Sequence, residues 1–404
     1  MLTQPPKGFR DFLPQQAIQR NFLIEKLKIL FERFGFDPLE TPTLEYAEVL
    51  LGKYGEEADK LIYLFKDRGG RNLGLRYDQT VPLARVVAQY PNITKPFKRY
   101  QIQPVFRAEN PQKGRFREFI QADIDIIGEK SILAETEIIV CALTVLKYLG
   151  FKNAKILIND RKNFVNLDKK IIIAIDKLEK VGEEKVIEEI AKRQEIKEKE
   201  AKAILNEIKN KKPTADILKL FSFLKAYGLK EGKDFIYQPT LARGLDYYTG
   251  IIFEAVSTDY QAGSLGGGGR YDNLIGIFSK QTIPACGFAF GFDRVLEAEE
   301  KLNLLPKKQT TTQVLVTIFS QKLLQKSIEI VTFLRKNNIN AELYLNPEKK
   351  LDKQLKYADK KGVPYVVILG EDEVKKNVVK LKDLTTGKQK EVSFENLLKI
   401  LSNL

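Results

Sequence analysis

The spacing of apolar residues between positions 100 and 126 predicts a β-hairpin. Its first limb ends at Phe106, and its loop contains the turn-forming pairs Asn110-Pro111 and Lys113-Gly114. The apolar positions of the return limb are Phe119, Ala122, Ile124 and Ile126. The charged residues of the hairpin include the three arginines Arg107, Arg115 and Arg117 and, on the return limb, Asp123 and Asp125. Because an arginine fork holds phosphate or carboxylate groups through paired hydrogen bonds, this mixture indicates a ligand site and not a solvated sheet edge.

Apolar residues at helical spacing predict helices at Gln15–Arg33 and at Ser131–Leu149. Between positions 155 and 234 the charge becomes dense and alternates in sign, and helices are predicted at Lys169–Val181 and Glu183–Lys212. Such alternation is typical of a solvated helical face. We therefore interpret residues from about 160 to 235 as a helical insertion.

Strands and helices alternate in the last quarter of the chain. The predicted strands are Val314–Phe319, Ala341–Leu345, Tyr365–Leu369 and Val378–Leu381. The predicted helices are Lys322–Asn337, Lys353–Lys361 and one at the end of the sequence. This order predicts a small parallel or mixed α/β domain at residues 314–404, which a linker at residues 306–313 joins to a larger domain at residues 1–305.

The composition is that of a globular protein of two or three domains, since 43% of the 404 residues are hydrophobic and 30% are charged. No apolar run reaches transmembrane length and no signal-peptide core is present, so we expect a cytoplasmic protein without a membrane partner. Cys141 and Cys286 are too few for a disulfide framework and are expected to be buried free thiols.

Charge and the lack of histidine narrow the chemistry. The net charge is +14, and residues 306–404 carry 19 Lys and Arg against 11 Asp and Glu, which favours a polyanionic partner. The chain contains no histidine, which excludes Ser-His-Asp and Cys-His catalysis, HExxH zinc sites and imidazole bases. The chemistry that remains acts by positioning and electrostatics, through arginine, carboxylates and Mg²⁺.

The hairpin resembles a known motif. Arg107-Ala108-Glu109, a long loop and then Phe119-Ile120-Gln121 resemble motif 2 of the class II aminoacyl-tRNA synthetases. The stretch Gln121-Ala122-Asp123-Ile124-Asp125 is similar to the histidyl-tRNA synthetase family in particular. This resemblance implies an enzyme that activates an amino acid with ATP and transfers it to tRNA.

The resemblance implies a role for each polar residue of motif 2. Three of these residues are implied to bind ATP: Arg107 on the α-phosphate, Glu109 near adenine, and Arg115. Two are implied to bind histidine: Gln121 contacts its polar backbone groups, and Asp125 contacts its imidazole. Gln112 and Lys113 are implied to contact the acceptor end of tRNA. Asp125 could instead be a strand carboxylate paired with an arginine; some partner is expected, because a buried unpaired carboxylate costs several kcal/mol.

A second segment, Leu75-Arg76-Tyr77-Asp78-Gln79-Thr80-Val81-Pro82, resembles the part of the same family that binds the substrate amino group. An ammonium group requires acceptors, which the Asp78 carboxylate and the Thr80 hydroxyl supply. On residue type alone, both side chains are explained equally well as caps of the helix predicted to begin near Pro82.

Leu241-Ala242-Arg243-Gly244-Leu245-Asp246-Tyr247-Tyr248-Thr249-Gly250 resembles a motif specific to histidyl-tRNA synthetases. The resemblance implies that Arg243 is the catalytic arginine on the α-phosphate, alongside Arg107, and that it also contacts histidine. It implies that Tyr247 and Tyr248 bind histidine, with Tyr248 at the imidazole. The alternative is a strand and turn with core tyrosines.

Three further segments extend the resemblance. Gly263–Asp272 is similar to the second family-specific motif and implies that Tyr271 lines the amino-acid pocket. Gly287–Leu296 resembles motif 3, with Arg294 on the γ-phosphate of ATP. Phe36–Glu45 resembles motif 1, in which a proline, here Pro42, lies at the interface of a homodimer.

Together these resemblances imply an α+β protein. Its parts are an antiparallel class II catalytic sheet with flanking helices, a helical insertion, and a C-terminal α/β domain like the anticodon-binding domains. The implied reaction forms histidyl-adenylate from L-histidine and ATP, with Mg²⁺ but without a metal site made by protein ligands alone, and then charges tRNA(His). Because the nucleophile is an ionised carboxylate, this reaction needs no general base.

Two other functions are compatible with this fold. One is the non-catalytic paralogue that regulates ATP phosphoribosyltransferase in histidine synthesis, which typically lacks the anticodon domain. The other is an RNA-binding sensor protein, since a fold does not fix a function. The C-terminal domain and the intact Arg243 region disfavour the first, and the presence of Arg107, Arg243 and Arg294 disfavours the second.

Overall fold

The computed structural model describes residues 2–53, 59–110, 116–165, 167–243, 247–260, 263–279 and 281–402. The chain divides into two compact units, Met1–Asp11 with Leu23–Leu305, and Phe12–Phe22 with Pro306–Leu404. No helix within the described ranges is both long and apolar enough to cross a membrane.

The described residues form strands that we number in chain order. They are β1 (Asp37–Pro38), β2 (Leu44–Tyr46), β3 (Leu64–Lys66), β4 (Asn72–Leu75), β5 (Phe97–Phe106), β6 (Glu118–Ile127), β7 (Ala154–Asp160), β8 (Phe235–Tyr237), β9 (Ile251–Ser257), β10 (Gly266–Arg270), β11 (Ala285–Gly291), β12 (Val314–Val316), β13 (Ala341–Leu343), β14 (Tyr365–Ile368), β15 (Val379–Asp383) and β16 (Gln389–Val392).

The α-helices are Pro14–Arg33, Ala47–Leu50, Thr80–Gln89, Leu133–Tyr148, Lys169–Ile175, Leu178–Val181, Glu183–Gln194, Glu198–Lys209, Ala215–Ala226, Gly276–Ser279, Phe292–Lys301, Leu324–Lys336, Leu351–Lys361, Glu371–Lys375 and Phe394–Leu401. Two short 3₁₀ helices are Arg161–Phe164 and Gln321–Leu323.

An eight-stranded sheet, the central sheet, dominates the larger unit, with strand order β1-β5-β6-β11-β10-β9-β7-β8. The two outermost pairs, β1 with β5 and β7 with β8, are parallel. The inner pairs are antiparallel. The predicted hairpin is confirmed as β5 and β6, which pair from Phe97 opposite Ile127 to Phe106 opposite Glu118. The predicted antiparallel catalytic sheet is therefore correct.

The two faces of the central sheet differ in chemistry because successive side chains of a strand point to opposite sides. On β6, Ala122, Ile124 and Ile126 belong to the main hydrophobic core, with residues from the helices Pro14–Arg33 and Leu133–Tyr148. Gln121, Asp123 and Asp125 alternate with them and so face the other side of the sheet. The helices cover one face, and the polar residues lie on the other.

The helical insertion is present, but its helices are shorter than predicted. Lys169–Ile175 and Leu178–Val181 replace one predicted helix, and Glu183–Gln194 and Glu198–Lys209 replace the next. The second break lies at Glu195, whose backbone is left-handed with φ of 54°. The pattern hides this break: buried Ile190 and Ala201 are eleven positions apart, about three helical turns. Helix Ala215–Ala226 was not predicted.

The smaller unit contains a five-stranded sheet of order β13-β12-β14-β15-β16. β12 pairs in parallel with β13 and β14, and the two remaining pairs are antiparallel. The predicted mixed α/β domain is correct. Strand β16 was missed because three of the four residues of its sequence, Gln389-Lys390-Glu391-Val392, are polar and exposed.

A buried ion pair joins the central sheet to the helix Leu133–Tyr148. Arg270, at the end of β10, donates from Nε and Nη2 to the two carboxylate oxygens of Glu135 at 2.5 and 2.6 Å. The Glu135 side chain is 1% exposed, so solvent cannot replace the carboxylate.

We expect Glu135→Gln to lower the free energy of unfolding by about 3–5 kcal/mol, because it removes the buried carboxylate that pairs with Arg270, and the other carboxylate near that guanidinium, Asp272, is 30% exposed. Urea unfolding followed by circular dichroism measures the change. Glu297→Gln is the matched control: it breaks the pair Lys301–Glu297, whose side chains are 55% and 31% exposed, and should cost less than about 1 kcal/mol. Equal effects of the two substitutions would contradict the prediction.

Candidate active site

The polar face of the central sheet is built from two strands. Antiparallel pairing sets Arg99, Gln101 and Gln103 of β5 opposite Asp125, Asp123 and Gln121 of β6. All six side chains share one face, because they occupy alternate positions of paired strands. Five are buried: Arg99, Gln101, Gln121, Asp123 and Asp125. Such a set of buried polar groups marks a site and not a packing surface.

The neighbouring strands β11 and β10 leave this face without large side chains. Gly287 is opposite Asp125, and Gly269 and Gly267 follow in register on β10. A Cβ atom at Gly287 would lie 1.8 Å from Oδ1 of Asp125, and one at Gly269 would lie 2.9 Å from Cδ1 of Tyr248. These glycines therefore give the functional side chains the space that they occupy.

Arg243 lies over β10, where a Cβ at Gly267 would be only 1.7 Å from its Nη1 atom. Its Nη1 donates to Oε2 of Glu254 at 3.4 Å, and Glu254 of β9 is directly opposite Gly267. The guanidinium carbon is 5.7 Å from the ring centroid of Tyr248. A carboxylate beside it and a glycine beneath it thus define where the proposed catalytic arginine lies.

Three tyrosines form one wall beside Arg243. The Tyr247 ring centroid is 4.9 Å from that of Tyr248 and 5.9 Å from that of Tyr271. The Tyr271 hydroxyl donates to Oδ1 of Asp125. Burial raises the pKa values of Tyr247 and Tyr271 well above the ordinary value. These hydroxyls therefore stay protonated at neutral pH, and that of Tyr271 uses its single proton on Asp125.

Asp125 has the arginine partner that the alternative interpretation required. Nη2 of Arg99 lies 2.6 Å from Oδ2 of Asp125, and the two side chains are 0% and 4% exposed. Burial raises the pKa of Asp125, and the Arg99 guanidinium opposes that rise. The partner is thus Arg99 of β5, and not Arg107, Arg115 or Arg117, which the sequence analysis had named.

Asp78 and Thr80 close the other side of the tyrosine wall. Oδ1 of Asp78 accepts at 3.0 Å from the backbone N–H of Val81, in the first turn of the helix Thr80–Gln89, whose N-cap position is Gln79. The Thr80 side chain lies near Tyr247 and opposes part of the rise in that tyrosine's pKa, which burial causes. Nearby, Nε2 of Gln79 donates to the backbone carbonyl of Gln121 at 3.2 Å. The contact of Asp78 with the helix and the contact of Thr80 with Tyr247 therefore occur in the same segment.

Arg107 is held between two aromatic rings. Its guanidinium carbon lies 4.3 Å from the Tyr77 ring centroid and 5.0 Å from that of Phe119, and its Nε donates to the Tyr77 carbonyl at 3.3 Å. Arg117, by contrast, donates from Nε to the carbonyl of Glu109 at 3.0 Å. Arg117 therefore fixes the hairpin base instead of serving as a free ligand for phosphate.

The other predicted residues lie in different places. Nη1 of Arg294, on the helix Phe292–Lys301, donates to the carbonyl of Ser264 at 3.1 Å. Glu109 lies at the end of the described first limb, and its carbonyl receives the Arg117 contact. Gln112, Lys113 and Arg115 lie outside the described residues.

The sequence interpretation missed Arg99 and Glu254. Arg99-Tyr100-Gln101-Ile102-Gln103 places a polar residue at every second position of β5, as β6 does. That shared alternation would have predicted one polar face across both strands. Glu254 stands alone among apolar residues of β9, and only the register with Gly267 reveals what it contacts.

An antiparallel sheet with helices on one face, and with arginines, carboxylates and tyrosines on the other, is the catalytic architecture of a class II aminoacyl-tRNA synthetase. A family model described as histidyl-tRNA synthetase matches residues 8–167 and 160–295. A second model, described as an anticodon binding domain, matches residues 313–404. The chain belongs to the histidyl-tRNA synthetase family.

Similar proteins cover nearly the whole chain. The histidine–tRNA ligase of Cytophaga hutchinsonii is 37% identical over 97% of this chain and 98% of its own length. That of Wolinella succinogenes is 39% identical over 98% and 97%. The crystal structure of histidyl-tRNA synthetase from Nostoc sp. PCC 7120 has a TM-score of 0.83 at 29% identity, and the match covers 100% of this chain and 99% of that one.

A regulatory protein shares the fold more distantly. The structure of an ATP phosphoribosyltransferase regulatory subunit/histidyl-tRNA synthetase from Bacillus halodurans C has a TM-score of 0.66 and 23% identity, and covers 88% of this chain and 97% of that one. At this identity the likeness concerns the fold alone.

We expect Gly267→Ala to abolish turnover while the protein stays folded, because the added methyl group occupies the position of the Arg243 guanidinium. A Cβ there also lies 3.0 Å from the backbone oxygen of Phe253. The control is Gly69→Ala in a surface turn, where the nearest atom is the Asp67 carboxylate at 3.3 Å. Activity assays measure turnover, and circular dichroism shows whether each variant is folded. Full activity of Gly267→Ala would refute the proposed steric role.

Proposed function

We propose that this chain catalyses the two-step charging of tRNA(His), with the residue roles given below. The observation that carries the proposal is the placement of Arg243. It lies between Glu254, Gly267 and the tyrosine wall, and Asp125 is hydrogen-bonded to one of those tyrosines. A cationic group beside a buried polar pocket suits a substrate whose carboxylate reacts with a phosphate.

In the first step, a carboxylate oxygen of histidine attacks the α-phosphorus of ATP. The bond from that phosphorus to the oxygen bridging it to the β-phosphate breaks, and pyrophosphate leaves. Arg107 and Arg243 hold the α-phosphate and the carboxylate in line and neutralise the developing charge. An ionised carboxylate needs no base, which agrees with a chain that has no histidine. In the second step, the terminal ribose hydroxyl of tRNA displaces AMP.

Recognition of histidine falls to the polar groups around Tyr271. The imidazole has two ring nitrogens, and we assign one to Asp125 and one to Tyr248. Tyr247 and Tyr271 line the pocket. Asp78, Thr80 and Gln121 supply acceptors for the ammonium group. A different amino acid would leave buried polar groups unpaired, which is the strongest form of discrimination by binding.

ATP binding falls to motifs 2 and 3. We assign Glu109 to adenine, and Arg115 and Arg294 to the phosphates. Mg²⁺ bound to the ATP phosphates would neutralise charge as pyrophosphate leaves. Within the ranges that the structure describes, no group of three or more Cys, Asp or Glu side chains could hold a metal ion.

Binding of tRNA is divided along the chain. We assign Gln112 and Lys113 to the acceptor end and residues 314–404, after the linker 306–313, to the anticodon. Residues 306–404 have an excess of eight positive charges, which attracts a polyanion. Residues 1–305 form the catalytic domain, including the insertion from about 160 to 235. A cytoplasmic location follows from this function.

We also propose a homodimer that uses the small sheet β2-β4-β3 near Pro42. On this sheet Tyr46 of β2 and Phe65 of β3 both pair with Leu73 of β4, so the three side chains share a face. Tyr46 is 50% exposed and Phe65 is 43% exposed, as is Leu44. Aromatic and aliphatic side chains exposed together favour a protein contact.

The reaction is tested by exchange of labelled pyrophosphate into ATP with each of the twenty amino acids. We expect exchange with histidine alone, and a loss of at least about 100-fold in Arg243→Ala, since the removed charge stabilises the transition state. Arg33→Ala, an exposed arginine at the end of the helix Pro14–Arg33, is the control. No exchange with any amino acid, from folded protein with Mg²⁺, would instead support the regulatory or RNA-binding function.

The dimer is tested by replacing Tyr46 with glutamate. Because a charge on a buried apolar interface is costly, we expect Tyr46→Glu to shift the sedimentation coefficient from that of a dimer to that of a monomer. Tyr90→Glu, at a tyrosine that is 54% exposed elsewhere, should leave the dimer intact. A wild-type protein that sediments as a monomer would contradict the proposal.

A further inference from the structure

The segment Lys7–Arg10 lies against the return limb of the catalytic hairpin. The carbonyl of Gly8 accepts from the backbone N–H of Arg117 at 2.9 Å. The carbonyl of Lys7 accepts from Nη1 of Arg117 at 3.2 Å. Gly8 has φ of +91°, and a Cβ there would be 2.8 Å from Cγ and Cδ of Arg117. A glycine is required at this point because the backbone is left-handed and the arginine stem lies directly against it.

Arg10, two residues further on, contacts two parts of the site at once. Its guanidinium carbon is 3.2 Å from the ring centroid of Phe116, at the start of the described return limb. Its Nη2 donates to Oδ1 of Asp293 at 2.8 Å, and the two side chains are 27% and 12% exposed. Oδ2 of Asp293 accepts from the backbone N–H of Ile120 at 3.2 Å. Arg10 and Asp293 therefore tie the hairpin to the helix Phe292–Lys301.

The two parts that Arg10 joins are those that carry the proposed ATP ligands. Arg107 and Glu109 lie at the base of the hairpin, and the backbone N–H of Arg107 donates to the carbonyl of Arg117 at 2.9 Å. Arg294 follows Asp293 directly on the other part. ATP must meet all of these groups together, so the separation between them determines how well it fits. A shift of about 1 Å is enough to impair catalysis.

The chemistry of Arg10 suits this bridging role better than that of a lysine. A guanidinium can stack its planar face on an aromatic ring while its edge donates to a carboxylate. An ammonium group can keep the ion pair but not the stacking. The segment Lys7–Arg10 also does not supply the nucleophile or any phosphate ligand assigned above, so its contribution is to geometry.

We infer that Arg10 is a positioning residue for ATP, which sets the distance between the hairpin and Arg294 through Phe116 and Asp293. This inference rests on the proposed ATP roles of Arg107, Glu109 and Arg294. Its specific consequence is a defect in the use of ATP that spares histidine, because Phe116 and Asp293, which Arg10 contacts, adjoin the proposed ATP ligands, whereas the tyrosine wall is formed by other segments.

The experiment compares wild type, Arg10→Ala, Arg10→Lys and the control Lys7→Ala in pyrophosphate exchange, with ATP and histidine varied separately. We expect Arg10→Ala to raise the KM for ATP about tenfold, equivalent to about 1.4 kcal/mol, and to leave the KM for histidine within about twofold. Arg10→Lys should recover part of the loss. Lys7→Ala removes an exposed cation but keeps the carbonyl contact, and should match wild type.

Two further measurements separate the possible failures. Calorimetric titration with ATP gives the affinity of each variant directly, so the inference is tested even if exchange is absent and the proposed reaction fails. Thermal unfolding identifies a variant that does not fold. If Arg10→Ala does not fold, the ATP affinity of Arg10→Lys tests the inference instead. Asp293→Asn combined with Arg10→Ala should cost less than the sum of the two single losses. Equal increases in both KM values, or an unchanged ATP affinity, would overturn the inference.

Discussion

The site depends on positions of the central sheet that have no side chain. Asp125 and Arg243 can occupy their places because Gly287 and Gly267 leave the face of β11 and β10 open, and a single Cβ at either glycine would overlap a charged group. The backbone hydrogen bonds of the sheet are unaffected by this choice, so the strands keep their register while the face becomes a cavity for charges. A rigid sheet thereby fixes groups that would otherwise move independently.

Burying several charges on this face costs electrostatic free energy. The two carboxyl groups of β6 differ in the contacts that offset this cost. Asp125 contacts the Arg99 guanidinium and accepts from Tyr271. No described residue donates a hydrogen bond to either oxygen of Asp123. Burial raises the pKa of Asp123 well above its ordinary value, and Arg99 opposes that rise only in part. Of the two carboxyl groups, Asp125 therefore has the closer contacts that stabilise a carboxylate.

The sequence predicted the fold most successfully where local pattern and tertiary structure agree. The limbs of the hairpin, the alternating C-terminal unit and the pairing partner required for Asp125 all follow from periodicity or from the cost of burial. The break at Glu195 could not be predicted from periodicity, because the apolar positions on its two sides remain in phase. The identity of the partner, Arg99, depends on strand register, and the contact between Glu254 and Arg243 depends on sheet order. Arg10 is more distant still, since 283 positions separate it from Asp293.

The two units use cations in different ways. The site of the larger unit is built with guanidinium groups, including Arg99, Arg107 and Arg243, whose fixed forks define direction as well as charge. In residues 306–404, all basic residues but Arg335 are lysines, and Nε of Arg335 donates to the carbonyl of Ala341. Lysine carries a hydrated point charge on a flexible stem, so these lysines supply a general attraction for phosphate groups. The excess of lysine in residues 306–404 therefore contributes attraction to a polyanion, whereas the arginines of the larger unit also fix direction.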